Sequence, residues 1–192
     1  MRIVNQKRHP EMLYVTRTGM EPEQREYGRT TTIYTSGCGL CAAIMVADRL
    51  LPSYDFELGD AIAMSYAVEA NQNLGTNYKR FAPVFAKKFG LKWEPTSDLE
   101  ELRKCLRTGG AAVVHGAGGL FASMGHYMVA INEEPDGRIA ILDPSYKEGK
   151  FDEEGRQGKV EMKNGVIALC DMQVLMEETE GRKVRFFLLW RK

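Results

Sequence analysis

Histidine is the scarcest chemistry-bearing residue of this 192-residue chain, with three positions, His9, His115 and His126. Any reaction that needs an imidazole base at neutral pH therefore has a short list of candidates. Cysteine is sparse too: Cys38, Cys41, Cys105 and Cys170 are too few for a disulfide scaffold, and 44% hydrophobic residues supply a core without one. Free thiols are expected. There is no charge excess, with 26 Lys and Arg against 26 Asp and Glu, and no basic block or face. A nucleic-acid or anionic-membrane partner is therefore not expected. No run approaches the length of a membrane span, and residues 1–17 lack the apolar centre of a signal peptide. As written the chain is expected in the cytoplasm, with secretion after removal of a leader left open. Repeats, low-complexity segments and splitting linkers are absent as well. The expectation is one domain, 1–192, burying roughly 70% of the surface of its unfolded chain.

What is present is ordered along the chain. Residues 1–29 are polar and irregular, with Pro10, Gly19, Pro22 and Gly28, and read as a surface arm. Residues 30–35 are short and β-branched. A strong helix is expected over 38–51, small or apolar nearly all round and stopped by Pro52. Residues 58–70 and 77–89 read as two more helices, the second with Pro83 inside it and Gly90 as its cap. Ser97 and Glu100 form a capping-box pattern opening a helix over 98–106. From Gly110 the period changes to β-type runs at 111–115, 126–131, 138–142 and 183–190, with a short helix at 171–178. A mainly helical half (30–109) followed by a mainly β half (110–192) predicts an α+β domain.

The most informative stretch is TSGCGLC at 35–41. It places Cys38 at the start of a helix, where unpaired N–H groups and the positive end of the helix dipole favour a thiolate. Such a nucleophile needs a base and an orienting group for that base. Residues 125–144 read as a β-hairpin with a Pro-Asp-Gly turn, in which His126 opens the first strand and Asp143 closes the second. Folding the ribbon brings both to one end, opposite or one diagonal step apart. If they share a face, Asp143 can accept Nδ1–H of His126 and leave Nε2 for Cys38.

SGCGLCAA at 36–43, GT at 75–76, LFASMGHYMV at 120–129 and DGRIAILDP at 136–144 together resemble the blocks of bacterial papain-like cysteine peptidases. Within that clan the likeness is to the peptidases that cleave double-glycine bacteriocin leaders and to their stand-alone relatives. The resemblance implies a papain-like fold, a peptide or protein substrate and no cofactor or metal. It also implies a thioester mechanism with Cys38 as nucleophile, His126 as base and Asp143 as orienter. Relatives carry an upstream glutamine as an oxyanion donor, whereas Gln6 and Gln24 here sit in no matching block. A donor is therefore expected among Arg17, Thr32, Tyr34 and Ser36, with Arg17 favoured as an always-protonated guanidinium. Where relatives often have Pro after Cys-Gly, this chain has Leu40 and then Cys41.

Two other readings use the same residues. Cys38-Gly-Leu-Cys41 at a helix start is also the local pattern of thioredoxin-like disulfide exchange, although no interleaved βαβ pattern accompanies it. A papain-like binding protein whose chemistry has lapsed would explain the unmatched glutamine. Cys41 and Cys105 are expected in the core and His9 on the surface. Residues 115–119 (HGAGG) are expected to form a flexible loop without catalytic function.

Overall fold

The computed structural model describes residues 2–17, 27–29 and 31–192. In chain order its elements are β1 (Thr16–Arg17), β2 (Tyr27–Arg29), α1 (Ile33–Ser36), α2 (Cys38–Leu50), α3 (Leu58–Ala67), α4 (Tyr78–Phe89), β3 (Leu91–Thr96), α5 (Leu99–Arg107), β4 (Ala111–Gly116), β5 (His126–Glu133), β6 (Ile139–Leu142), β7 (Val160–Lys163), β8 (Ile167–Cys170), α6 (Met172–Glu178) and β9 (Phe186–Arg191). β1 and β2 form a small ribbon. The other seven strands make one sheet in the order β3-β9-β4-β5-β6-β8-β7, and every neighbouring pair is antiparallel. The α+β expectation therefore holds.

The sheet is covered on both sides, so its central strands read as unbroken apolar runs while their side chains still alternate. Ala111, Val113, Val129, Leu142, Phe187 and Leu189 pack with α2, α3 and α4. Their neighbours Ala112, Val114, Met128, Ala130, Ile141, Phe186 and Leu188 pack with α5, α6, Phe121 and Phe151. Inside the first layer α2 is buried on nearly every side, which is why its sequence is small and apolar throughout. Phe81, Phe85 and Phe89 of α4 pack one above the next and contribute about 1.5–3 kcal/mol each on full burial.

Several local expectations change. Residues 2–17 are a surface arm only in part: residues 2, 3, 7, 8 and 10–13 are exposed, but Tyr14 and Thr16 are completely buried, and Val4 and Gln6 nearly so. The Tyr14 hydroxyl meets Ser65 Oγ at 2.7 Å and Thr76 Oγ1 at 3.1 Å, so its polar tip is satisfied inside the core. Instead of a β-type run, 33–36 is the short helix α1, because Thr35 Oγ1 accepts from Thr32 N and closes the turn. The cap of α5 is Asp98 rather than Ser97; its carboxylate accepts from the amides of Glu100 and Glu101. Ser97 Oγ instead donates to the Lys183 carbonyl. Three strands of the seven-stranded sheet, β3, β7 and β8, lie outside the expected β-type runs. β3 contains Pro95, which an edge strand tolerates because one side of it needs no ladder donor.

The hairpin of β5 and β6 sets the geometry of the site. Glu134 N donates to the Arg138 carbonyl and Gly137, at φ +86°, closes the Pro-Asp-Gly turn. Near the turn Glu133 pairs with Ile139 and Asn132 with Ala140, but further on Ala130 pairs with Ile141 and Val129 with Leu142. Ile131 is thus an extra residue, a bulge. Without it Asp143 would fall opposite Val129, on the face away from His126. With it, the register continues to Met128 opposite Asp143, and His126 lies two residues from Met128 on the same face. Beyond the bulge the faces exchange, and Glu133 lies beside Arg103 and Arg107 of α5.

Candidate active site

Cys38 is the first residue of α2 and the least buried of the four thiols. The start of α2 lies close against β5. A Cβ on Gly39 would come within 2.8 Å of Thr76 Cβ and 3.2 Å of the Tyr127 ring, so only glycine lets the helix approach this far. Burial pushes the Cys38 thiol up. The His126 ring, through a hydrogen bond and its charge, and the amides of Tyr127 and Gly39 outweigh that, leaving the thiol below its ordinary value. The other cysteines go the opposite way: burial is the main cause that raises Cys105 to about 11 and Cys170 to about 12, and pushes Cys41 well up.

His126 and Asp143 are both buried, and His126 Nε2 stands 2.8 Å from Asp143 Oδ1. This corrects the ring assignment expected from sequence. The two residues are diagonal neighbours rather than directly opposed, so the carboxylate reaches the distal nitrogen Nε2 and Nδ1 is left for the thiol. Burial opposes the imidazolium, but the Asp143 hydrogen bond and the Cys38 thiol outweigh it and raise His126 to about 9. Burial likewise pushes Asp143 up, and His126 and Lys150 overcome this and hold it well below the usual carboxylate range.

The carboxylate has further partners. Ser145 donates to Asp143 Oδ1 through its amide at 2.8 Å and its hydroxyl at 2.9 Å, and Ser145 Oγ lies 3.2 Å from His126 Nε2. Lys150, itself buried, binds Asp143 Oδ2 and donates to Ser145 Oγ at 2.9 Å. Sequence reasoning passed over Lys150, because a lysine in a Gly- and Glu-rich loop reads as solvated.

Of the four oxyanion candidates, Thr32, Tyr34 and Ser36 lie together in α1 and its cap, and Arg17 lies in β1. Arg17 Nη1 donates to Glu69 Oε1 at 2.8 Å, and its backbone pairs with residues 71 and 73. The Tyr34 ring is exposed beneath Lys7 Nζ. Thr32 opens α1, and only Ser36 is buried, its hydroxyl 3.4 Å from Thr35 Oγ1. A residue that sequence reasoning set aside contacts segments on both sides of the site: Gln6 is buried, its backbone N–H donates to the Pro144 carbonyl at 2.8 Å, and its Nε2 donates to the Tyr34 carbonyl at 2.8 Å. It therefore bridges α1, just before the nucleophile, and the residue just after Asp143. The missed signal was the apolar entry Ile3-Val4 ahead of it. Gln24 lies outside the described residues.

His115 belongs to β4, in keeping with the β-type run at 111–115 rather than with a loop beginning at 115, and it stacks on Tyr127 with centroids 4.8 Å apart. Burial and the charge of Arg182 lower it to about 4, which suits a neutral packing residue. Cys38 and Cys41 are both free thiols, and hydrogen-bonded neighbours in the seven-stranded sheet are all antiparallel. Among the described residues no cluster of three or more His, Cys, Asp or Glu could hold a metal ion. Nor is any helix among them long and apolar enough to cross a membrane.

No protein-family model and no curated protein sequence matches the chain. The functional reading therefore rests on this geometry and on the likeness of its motifs.

Proposed function

We propose that the chain is a thiol-dependent amide hydrolase with papain-like chemistry, acting on a peptide or protein substrate. The observation that supports this best is one buried imidazole shared between the Cys38 thiol and the Asp143 carboxylate. Cys38 Sγ attacks the substrate carbonyl carbon, and the His126 imidazolium passes its Nδ1 proton to the leaving amine as the C–N bond breaks. Water, deprotonated by His126, then attacks the thioester; the C–S bond breaks, the acid leaves and the thiol is restored. Asp143 keeps the ring oriented and stabilises the imidazolium throughout. The Cys38 amide at the helix start and the second Nε2 hydrogen of Gln6 are the two oxyanion donors in this reading.

Iodoacetamide at about pH 6 tests the first half of the reading, since an ordinary thiol is almost wholly protonated there. Cys38 is expected to be alkylated well ahead of Cys41, Cys105 and Cys170; equal labelling of all four would sink the activated-thiol reading. Hydrolysis of a mixed peptide pool, followed by mass spectrometry, tests the second half, with cleavage expected from the parent chain and none from Cys38→Ala. A chain that alkylates selectively at Cys38 but cleaves nothing is the lapsed papain-like binding protein. The engagement of Gln6 Nε2 by the Tyr34 carbonyl is the feature that favours that alternative.

A further inference from the structure

Lys150 is a buried lysine that no sequence pattern marks, and its position beside the proposed triad is specific. It lies in the loop after β6, folds back so that its ammonium meets Asp143 Oδ2, and donates to Ser145 Oγ at 2.9 Å. Ser145 Oγ in turn donates to Asp143 Oδ1, the oxygen that accepts from His126 Nε2. The carboxylate is thus gripped from both sides, one oxygen by the imidazole and the other by the ammonium. Asn5 Nδ2 donates to the Tyr146 carbonyl at 2.6 Å, and the Tyr146 ring stacks on Phe151, which pins the loop that carries Lys150.

We propose that Lys150 is a positioning residue of this site, one that fixes the rotation of the Asp143 carboxylate and offsets its charge so that His126 keeps a proton it can still give up. The proposal rests on the triad reading above. With Lys150 in place, the buried chain Cys38, His126, Asp143 and Lys150 carries no net charge whether the proton sits on the thiol or on the ring. Without it the chain carries one uncompensated negative charge, which favours every protonated form. The imidazolium, in contact with Asp143, then holds its proton most tightly and is a poorer acid toward the leaving amine. Other titratable groups that face this network are Glu178 of α6, which senses the charges of both His126 and Lys150, Glu153, which senses Lys150, and Cys41, Tyr14, Tyr78 and Tyr127, which sense Cys38. None of these is a cation, and Arg156, whose Nη1 donates to the Lys150 carbonyl at 3.5 Å, is engaged by Glu153 Oε2 at 3.0 Å.

With three histidines in the chain, the His126 ring resonance is assignable by NMR, and its titration can be followed without any substrate. Lys150→Met is expected to move the His126 midpoint up by about one pH unit, the lower end of what a neighbouring charge does. Turnover should fall about tenfold, with the loss in kcat rather than KM. Lys150→Arg, which keeps the charge, should bring the midpoint back. If Lys150→Met fails to fold, Lys150→Gln keeps one hydrogen bond without the charge and should show the same upward movement. An unmoved midpoint in a folded, uncharged variant overturns the proposal. Asp143→Asn separates that failure from failure of the triad: it should lower the His126 midpoint, and if it does not, the triad reading is wrong as well.

Discussion

The two faces of the sheet differ in kind. The face under α2, α3 and α4 is closed by Phe81, Phe85, Ile44, Met45 and their neighbours, and its buried polar groups are neutral hydroxyls and amides such as Tyr14, Ser65 and Thr76. On the other face, toward α6, lie the buried side chains of His126, Asp143, Lys150 and Glu178. Burying a charge costs several kcal/mol even when it is paired, and well-packed apolar replacements of buried ion pairs are often as stable or more so. A fold that had only to be stable would be better served by two faces of the first kind. Cohesion and chemistry are thus divided between the layers, and α2 joins them by packing its length in one while offering Cys38 at its end.

The hardest way to break that division is to act on the charged face. Asp143→Asn should lower turnover about 10⁴-fold, the cost of losing the carboxylate that fixes the tautomer in a triad. It should also destabilise the fold by about 3–5 kcal/mol, because Lys150 is left buried without its partner. The double variant Asp143→Asn/Lys150→Met should regain most of that stability and none of the activity. Urea unfolding and peptide hydrolysis measured on the same samples decide it. Recovery of activity together with stability would mean that Asp143 acts only by holding the loop.

The converse experiment acts on the apolar face. Phe85 is completely buried between Phe81 and Phe89, and Phe85→Ala should cost about 3–5 kcal/mol through lost burial and the cavity left behind. The pH dependence of Cys38 alkylation should not move. A shifted profile in this variant would show that the two layers are coupled through α2 and not divided.

How much of this was legible in the sequence follows the same division. The helices α2 to α4 were readable because one layer of apolar residues with caps and breakers specifies them locally; Gly90 takes the left-handed conformation at the end of α4 as expected. The pairing of Cys38, His126 and Asp143 was readable because each stands at the end of a recognisable element. What the sequence concealed depends on register and on side chains reaching across space. Ile131 looks like any strand residue, yet as a bulge it decides whether Asp143 faces His126. The exchange of Nδ1 for Nε2 follows from that diagonal placement. Lys150 and Gln6 are polar residues in irregular segments, and only tertiary packing buries them. The pairing of Arg17 with Glu69 likewise depends on side chains distant in sequence.

The smallest effect concerns pH. His126 is raised to about 9 against an unfolded value of about 6.5, so its stabilising contribution is complete below pH 6.5 and is lost as pH climbs through 9. Cys38 is lowered, so its contribution is present above the unfolded thiol value and is lost as pH falls through the folded one. Between about pH 6.5 and 9 the two slopes oppose each other, because the folded pair shares one proton while the unfolded groups exchange theirs independently. Asp143, held low, titrates far below this window, and so does His115 at about 4. The parent chain should therefore lose less stability between about pH 6.5 and about pH 9 than the histidine alone would cost it. Cys38→Ser removes the thiolate but leaves the Asp143 carboxylate on the ring, so only the histidine slope survives. Its stability should fall by about 1 kcal/mol across the same interval, since a tenfold change in proton affinity between the folded and unfolded chain is worth about 1.4 kcal/mol. Urea unfolding of both proteins at the two ends of that interval reads the difference. Equal slopes in the two proteins would mean that Cys38 and His126 titrate independently, which a thiolate–imidazolium pair cannot do.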